Sequence, residues 1–142
     1  MKTVRPAGER TIPLADFYGT LGPALEPDEL LTEIRIPAPA ANAVQRLSKF
    51  RLRESVDFAV VSVATVLDVA EGVCRDARIV LGAVASMPYR AVAAEDVVRG
   101  GPLDESRIVQ AAEAALRDAK PMSGNAYKVE IAKTLIRRML RL

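Results

Sequence analysis

The sequence predicts an α+β fold, an antiparallel sheet of three to four strands packed with a three-helix bundle. Three observations predict it. Two-residue alternation dominates the chain up to Ala85, helical periodicity takes over after Pro88, and strands and helices do not alternate as parallel βαβ units would require. The organising stretch is the β-branched run from Phe58 to Val69. Phe58, Val60, Ala64 and Val66 make one of its faces, and Ala59, Val61, Val63, Leu67 and Val69 the other. A run apolar on both sides is expected to sit centrally in the sheet with cover on both faces. Glu71-Gly72 breaks it, and a second β-like segment, Arg78 to Ala85, completes an antiparallel hairpin.

The remaining elements follow in chain order. Residues 1–10 are polar, hold Pro6 and Gly8 and lack periodicity, so they are expected to be a linker or an extended lead-in; a single domain is expected over 11–142. After Thr11 to Tyr18, the residues Gly19, Gly22 and Pro23 argue against a helix. Leu30, Thr32, Ile34 and Ile36 alternate with Glu33 and Arg35, which predicts a half-buried strand stopped by Pro37 and Pro39. Residues 44–52 alternate less cleanly and carry charge, as an outer strand with a guarded edge would. Pro88 is expected to start a short helix, Ala91 to Arg99, closed by Gly100-Gly101. Asp104 and Ser106 are N-cap candidates for a second helix over 105–119. A third, Asn125 to Arg141, has Val129, Ile131, Ala132, Leu135, Ile136, Met139 and Leu140 on one half. Glu130, Lys133, Thr134, Arg137, Arg138 and Arg141 form the other.

Composition removes whole classes of chemistry. A chain of 142 residues, half apolar, is long enough for one real core, and with Trp absent and aromatics scarce that core must be built from Ala and Val. The net charge of +2 does not by itself imply nucleic acid. One cysteine and no histidine leave no intrachain disulfide, no imidazole or thiolate metal cluster and no histidine-dependent triad. Catalytic and metal-binding residues are therefore expected to be absent, with Cys74 a structural thiol beside a turn. No apolar run reaches the length of a membrane span, and the expected location is the cytoplasm.

Three places remain where chemistry could reside. The basic half of the last helix could meet phosphates, but no aromatic platform accompanies it for base stacking, and a solvated face explains it as well. Gly82 and Gly100-Gly101 match no phosphate-binding loop; a strand bulge or close backbone approach and a helix stop account for them. The bend Arg53-Glu54-Ser55-Val56-Asp57 is the most informative. Its opposite charges are four residues apart and it directly precedes the central strand, so a rigid element would hold it. An ion pair that merely shapes a turn is the alternative.

Six stretches, taken in order, carry a family resemblance. Thr11 to Tyr18, Leu25 to Pro37, and Lys49-Phe50 with Arg53 and Asp57-Phe-Ala-Val-Val61 come first; Asp76 to Gly82, Pro88-x-Arg90-Ala91 with Ala94-Glu95 and Gly100, and Ala126-Tyr-Lys128 follow. Together they resemble the C-terminal domain of the FAD-binding medium subunit of molybdenum hydroxylases, the carbon monoxide dehydrogenase and xanthine dehydrogenase family, over about residues 10–142. The resemblance implies antiparallel strands plus a three-helix bundle. It also implies that FAD is held by an upstream domain, which carries the glycine-rich pyrophosphate loops. Partners would be that FAD-binding domain, a large subunit with the molybdenum cofactor and a small subunit with [2Fe–2S] clusters.

On this view the chain alone holds no cofactor and is inactive. It supports the flavin domain and subunit contacts while electrons pass between the clusters and FAD. Arg53, Glu54, Ser55 and Asp57 become candidates for a loop beside the flavin. The chain is expected to be either part of such a subunit or an open reading frame for this domain alone. The alternative is a free-standing interaction module whose basic C-terminal helix binds an acidic partner or nucleic acid.

Overall fold

The computed structural model describes residues 1–54 and 56–142, which form two compact units, Met1–Ala38 and Pro39–Leu142. The division thus falls after Ala38 rather than after Arg10. In the first unit, β1 (Lys2–Arg5) and β2 (Gly8–Thr11) make an antiparallel hairpin where a linker or lead-in was expected. A single helical turn, α1 (Leu14–Phe17), follows and buries Phe17. The glycines behind it limit its length rather than prevent it, because Pro13, with φ −55°, leads directly into the turn. The two-residue strands β3 (Tyr18–Gly19) and β4 (Gly22–Pro23) pair next. Then β5 (Leu30–Glu33) joins β1, giving the order β2-β1-β5.

That strand corrects the pattern drawn through Ile36. Leu30, Ile34 and Ile36 are exposed and Leu31 is the half-buried residue. Lys2↔Glu33 is the last pair that the four-residue β1 can offer, so the alternation beyond Glu33 has no neighbouring strand to act on.

The second unit is built on β6 (Ala43–Phe50), β7 (Val61–Ala70) and β8 (Val73–Gly82), with β7 in the middle and β6 at an edge. The short strands β9 (Tyr89–Arg90) and β10 (Gly101–Pro102) both pair with β8, which makes five strands where three to four were expected. The helices are α2 (Val92–Val98), α3 (Glu105–Ala115) and α4 (Tyr127–Leu140). They pack on one another, and α2 and α4 also pack on the sheet, so the α+β architecture holds.

The turn between β7 and β8 is two residues long, and Glu71 (φ 54°) and Gly72 (φ 77°) are both left-handed. That is the twist a tight hairpin requires. One extra residue, Arg75, is accommodated where the register shifts beside Asp68 and Val69. The second strand therefore starts at Val73 and ends at Gly82, not at Arg78 and Ala85. At Gly82 a Cβ would come 2.4 Å from the Ser62 hydroxyl on β7, so the close approach expected of a strand glycine is present.

The central strand also begins later than its apolar pattern. Val61, Val63, Thr65 and Leu67 are buried, whereas Ser62, Ala64 and Val66 are half-buried; one face, not both, is fully covered. Phe58 lies outside the strand and is 93% exposed. The core of this unit joins those β7 side chains to Ile79 and Leu81 of β8, Ala94 and Val98 of α2, Ile108 and Ala111 of α3, and Leu135, Ile136 and Leu140 of α4. Alanines between helices allow the close approach that the composition suggested.

Two helix limits also move. Pro88 precedes β9 rather than opening α2, and α3 stops at Ala115 instead of 119. Asp104 does cap α3, accepting from the Arg107 N–H at 2.8 Å.

Candidate functional site

The bend between β6 and β7 spans Arg51 to Val60, and its shape is set by one carboxylate. Asp57 Oδ1 accepts from the Phe58 N–H at 2.9 Å and from Arg53 Nη2 at 3.1 Å, while Oδ2 accepts from Arg53 Nε at 3.3 Å. Lys49 Nζ, near the end of β6, donates to the Asp57 carbonyl at 2.7 Å. The Val60 N–H donates to the Phe50 carbonyl at 2.8 Å and closes the neck of the bend. The Arg53 guanidinium, with help from the Phe58 N–H, holds the Asp57 carboxyl below the ordinary aspartate range.

Four sequence candidates fall on this bend, and the structure joins two of them. Arg53 and Asp57 form the ion pair; Glu54 is exposed; Ser55 lies outside the described residues. The ion pair shapes the turn and also leaves Arg53 mostly in solvent, so the structural and functional readings are compatible.

What sequence reasoning missed is the apolar surface beside these charges. Leu52, Val56 and Phe58 are 80%, 98% and 93% exposed on the same bend, and Phe50 at its base is partly exposed. Scattered exposed apolar residues are ordinary, but several on one short, tethered bend make a local apolar patch. The available signal was that Leu52, Val56 and Phe58 fall on one two-residue set among charged neighbours, an apolar edge on a stretch too irregular to be a strand. FAD would need a surface for its ring and a cradle for its pyrophosphate. Among the described residues the bend offers an apolar, cation-edged surface suited to the first, and no glycine-backed run of N–H groups suited to the second.

The other polar groups are occupied in holding the fold. Glu95 on α2 is fully buried; it accepts from the Ile79 N–H at 2.9 Å and from Arg90 Nε and Nη2 at 3.0 and 2.7 Å. This carboxylate ties α2 to strands β8 and β9. Cys74 is buried, and burial raises its thiol pKa, the opposite of an activated nucleophile. Among the described residues no three His, Cys, Asp or Glu side chains gather as metal ligands, and no helix is long and apolar enough to cross a membrane.

Two of the four cations on the basic half of α4 are committed to α3. Arg141 pairs with Glu105 at 2.6 Å, and Lys133 pairs with Glu113 at 2.8 Å.

Residues 46–142 match the CO dehydrogenase flavoprotein C-terminal domain. The chain belongs to this family. It is similar to the carbon monoxide dehydrogenase medium chain of Afipia carboxidovorans, 36% identical over 138 residues, covering 94% of this chain and 48% of that protein. It is also similar to the nicotine 6-hydroxylase medium subunit of Paenarthrobacter nicotinovorans, 32% identical over 139 residues, with 94% and 48% covered. A solved structure of carbon monoxide dehydrogenase from Hydrogenophaga pseudoflava, lacking the Mo-pyranopterin moiety of the molybdenum cofactor, aligns with a TM-score of 0.88 at 32% identity. That alignment covers 96% of this chain and 49% of the other. The chain thus spans about half the length of the relatives it matches, and the family domain includes β7, β8, helices α2 to α4 and the bend.

Proposed function

We propose that this chain serves as the C-terminal domain of the FAD-binding medium subunit of a molybdenum hydroxylase-type oxidoreductase, and that its Arg53–Asp57 bend lies along the flavin. An upstream domain would hold the FAD pyrophosphate, a small subunit the [2Fe–2S] clusters and a large subunit the molybdenum cofactor. FAD, when bound, supplies the site at which electrons are exchanged with the clusters. The chain's own residues supply shape and charge. Strands β6 and β7 hold both ends of the bend, Asp57 fixes its backbone, and Arg53 offers a guanidinium beside apolar Val56 and Phe58.

The observation that carries this reading is that tethered, exposed apolar edge. Solvation of Phe58 and Val56 is unfavourable in the isolated domain, and a planar heteroaromatic ring or the domain holding it would remove both from water. The guanidinium would sit at the rim, where it can stack or donate.

Arg53→Ala and Asp57→Ala test this reading. In the 142-residue chain both variants should melt nearly as the parent does, because the pair is on the surface. In the assembled enzyme they should lower flavin content or electron delivery to the acceptor. Unfolding of the isolated variants, or full flavin occupancy and turnover in the assembly, contradicts the assignment.

A further inference from the structure

A cavity of about 220 Å³ lies far along the chain from the bend, between the end of β8, the C-terminal end of α3 and the start of α4. We propose that it binds a small carboxylate carrying an apolar ring. Leu81, Leu116 and Val129 contribute its apolar wall. A dry cavity of about 150 Å³ accepts one benzene ring, so this volume takes a ring with a short acidic arm.

The sign of the ligand follows from what surrounds the wall. Lys120 and Lys128 both border the cavity, against one acidic residue, Asp118. Lys128 Nζ donates to the Ala83 carbonyl at 3.1 Å, which steadies the ammonium while leaving it further N–H donors. The first turn of α4 borders the same space through Lys128 and Val129, whose N–H groups already donate to the Asn125 and Ala126 carbonyls, so the positive charge offered to a ligand is that of the lysine side chains. The opposing C-terminal end of α3 closes with the same kind of i→i+3 bond. There the carbonyls of Glu113, Ala114 and Leu116 accept from the backbone N–H groups of Leu116, Arg117 and Ala119.

Ala83, next in sequence to the lining residue Val84, holds a left-handed φ of 62° although it is not glycine. Lys128 anchors its carbonyl, so the strained backbone and the cation are parts of one arrangement. Nothing in this arrangement depends on the flavin assignment, since Arg53 to Asp57 take no part in it.

Phenylacetate, 2-phenylethanol and phenethylamine share a ring and differ in charge. Each is titrated into the ¹⁵N-labelled 142-residue chain, following amide shifts. Phenylacetate should give saturable shifts confined to residues 81–89 and 115–129, with an affinity about tenfold above that of phenethylamine. Lys120→Glu should reverse the preference between acid and amine, and Asp118→Asn should strengthen it. Ala119→Phe, at the exposed rim, should abolish the shifts while the rest of the spectrum stays unchanged. Absence of saturation by phenylacetate, equal binding of acid and amine, or binding that survives Ala119→Phe in a folded variant overturns the proposal.

Discussion

Thr65 shows how a residue can satisfy a strand pattern and still be locally wrong. It lies on the covered face of β7 between Val63 and Leu67, is buried, and its hydroxyl lacks a hydrogen-bond partner among the described residues. A buried hydroxyl without a partner bears its desolvation cost uncompensated, and valine has nearly the same shape. Thr65→Val should therefore raise stability by about 1 kcal/mol, seen as a higher urea midpoint with an unchanged slope. The strand itself was legible because apolar and β-branched residues fill most of 58–69; the single covered face and the missing partner were not, since both depend on which side chains surround the strand. Asp57 teaches the same lesson at the candidate site. Its spacing to Arg53 announced an ion pair, but only the fold shows that the carboxylate also caps the Phe58 N–H and turns Phe58 outward.

Among the elements, helix α4 was the most legible, because its apolar half repeats over four turns. Leu135 and Ile136 are buried and Arg138 is exposed, as the wheel required. Leu135→Ala and Ile136→Ala should each cost about 2–5 kcal/mol, and Arg138→Ala about 0.5 or less. Urea midpoints in the reverse order would mean that the faces are exchanged. The strand through Ile36 misled because alternation reports an opportunity to pair; β1 is too short to extend the pairing beyond Glu33.

The first hairpin was missed for the converse reason. Its polar side chains carry no hydrophobic period, and its order comes from a buried carboxylate. Glu29 accepts from Thr3 Oγ1 at 2.5 Å and from Arg10 Nε and Nη2 at 2.6 and 2.5 Å. Arg10 first, then Thr3, depress its pKa far below the usual carboxylate range. A depressed carboxylate contributes stability above its unfolded pKa, about 4.3, and that contribution is lost as pH falls from there toward the folded value. Amide protection factors in β1, β2 and β5, which divide out the pH dependence of intrinsic exchange, should therefore fall on acidification below about pH 4. Glu29→Gln should exchange faster at neutral pH and lose most of that acid dependence. Parallel pH profiles for the two proteins would rule out Glu29 as the titrating anchor.

On the scale of the whole molecule, class and family were readable while the division of the chain was not. Strands first and helices last defined α+β, and ordered motifs such as Pro88-x-Arg90 with Glu95 defined the relationship that residues 46–142 display. Compactness depends on contacts between residues distant in sequence, so the boundary at Ala38 emerged only in three dimensions. The central claim is that these residues act as the C-terminal half of a flavin-holding medium subunit. Its most direct test is flavin content in a chimera in which this chain replaces the matching half of the Afipia carboxidovorans carbon monoxide dehydrogenase medium chain. With the native partner subunits co-expressed, the assembled chimera should hold close to one FAD per medium subunit, and Arg53→Ala within it should hold less. A chimera that folds and assembles yet retains no flavin, or that retains it equally with the bend mutated, contradicts the account.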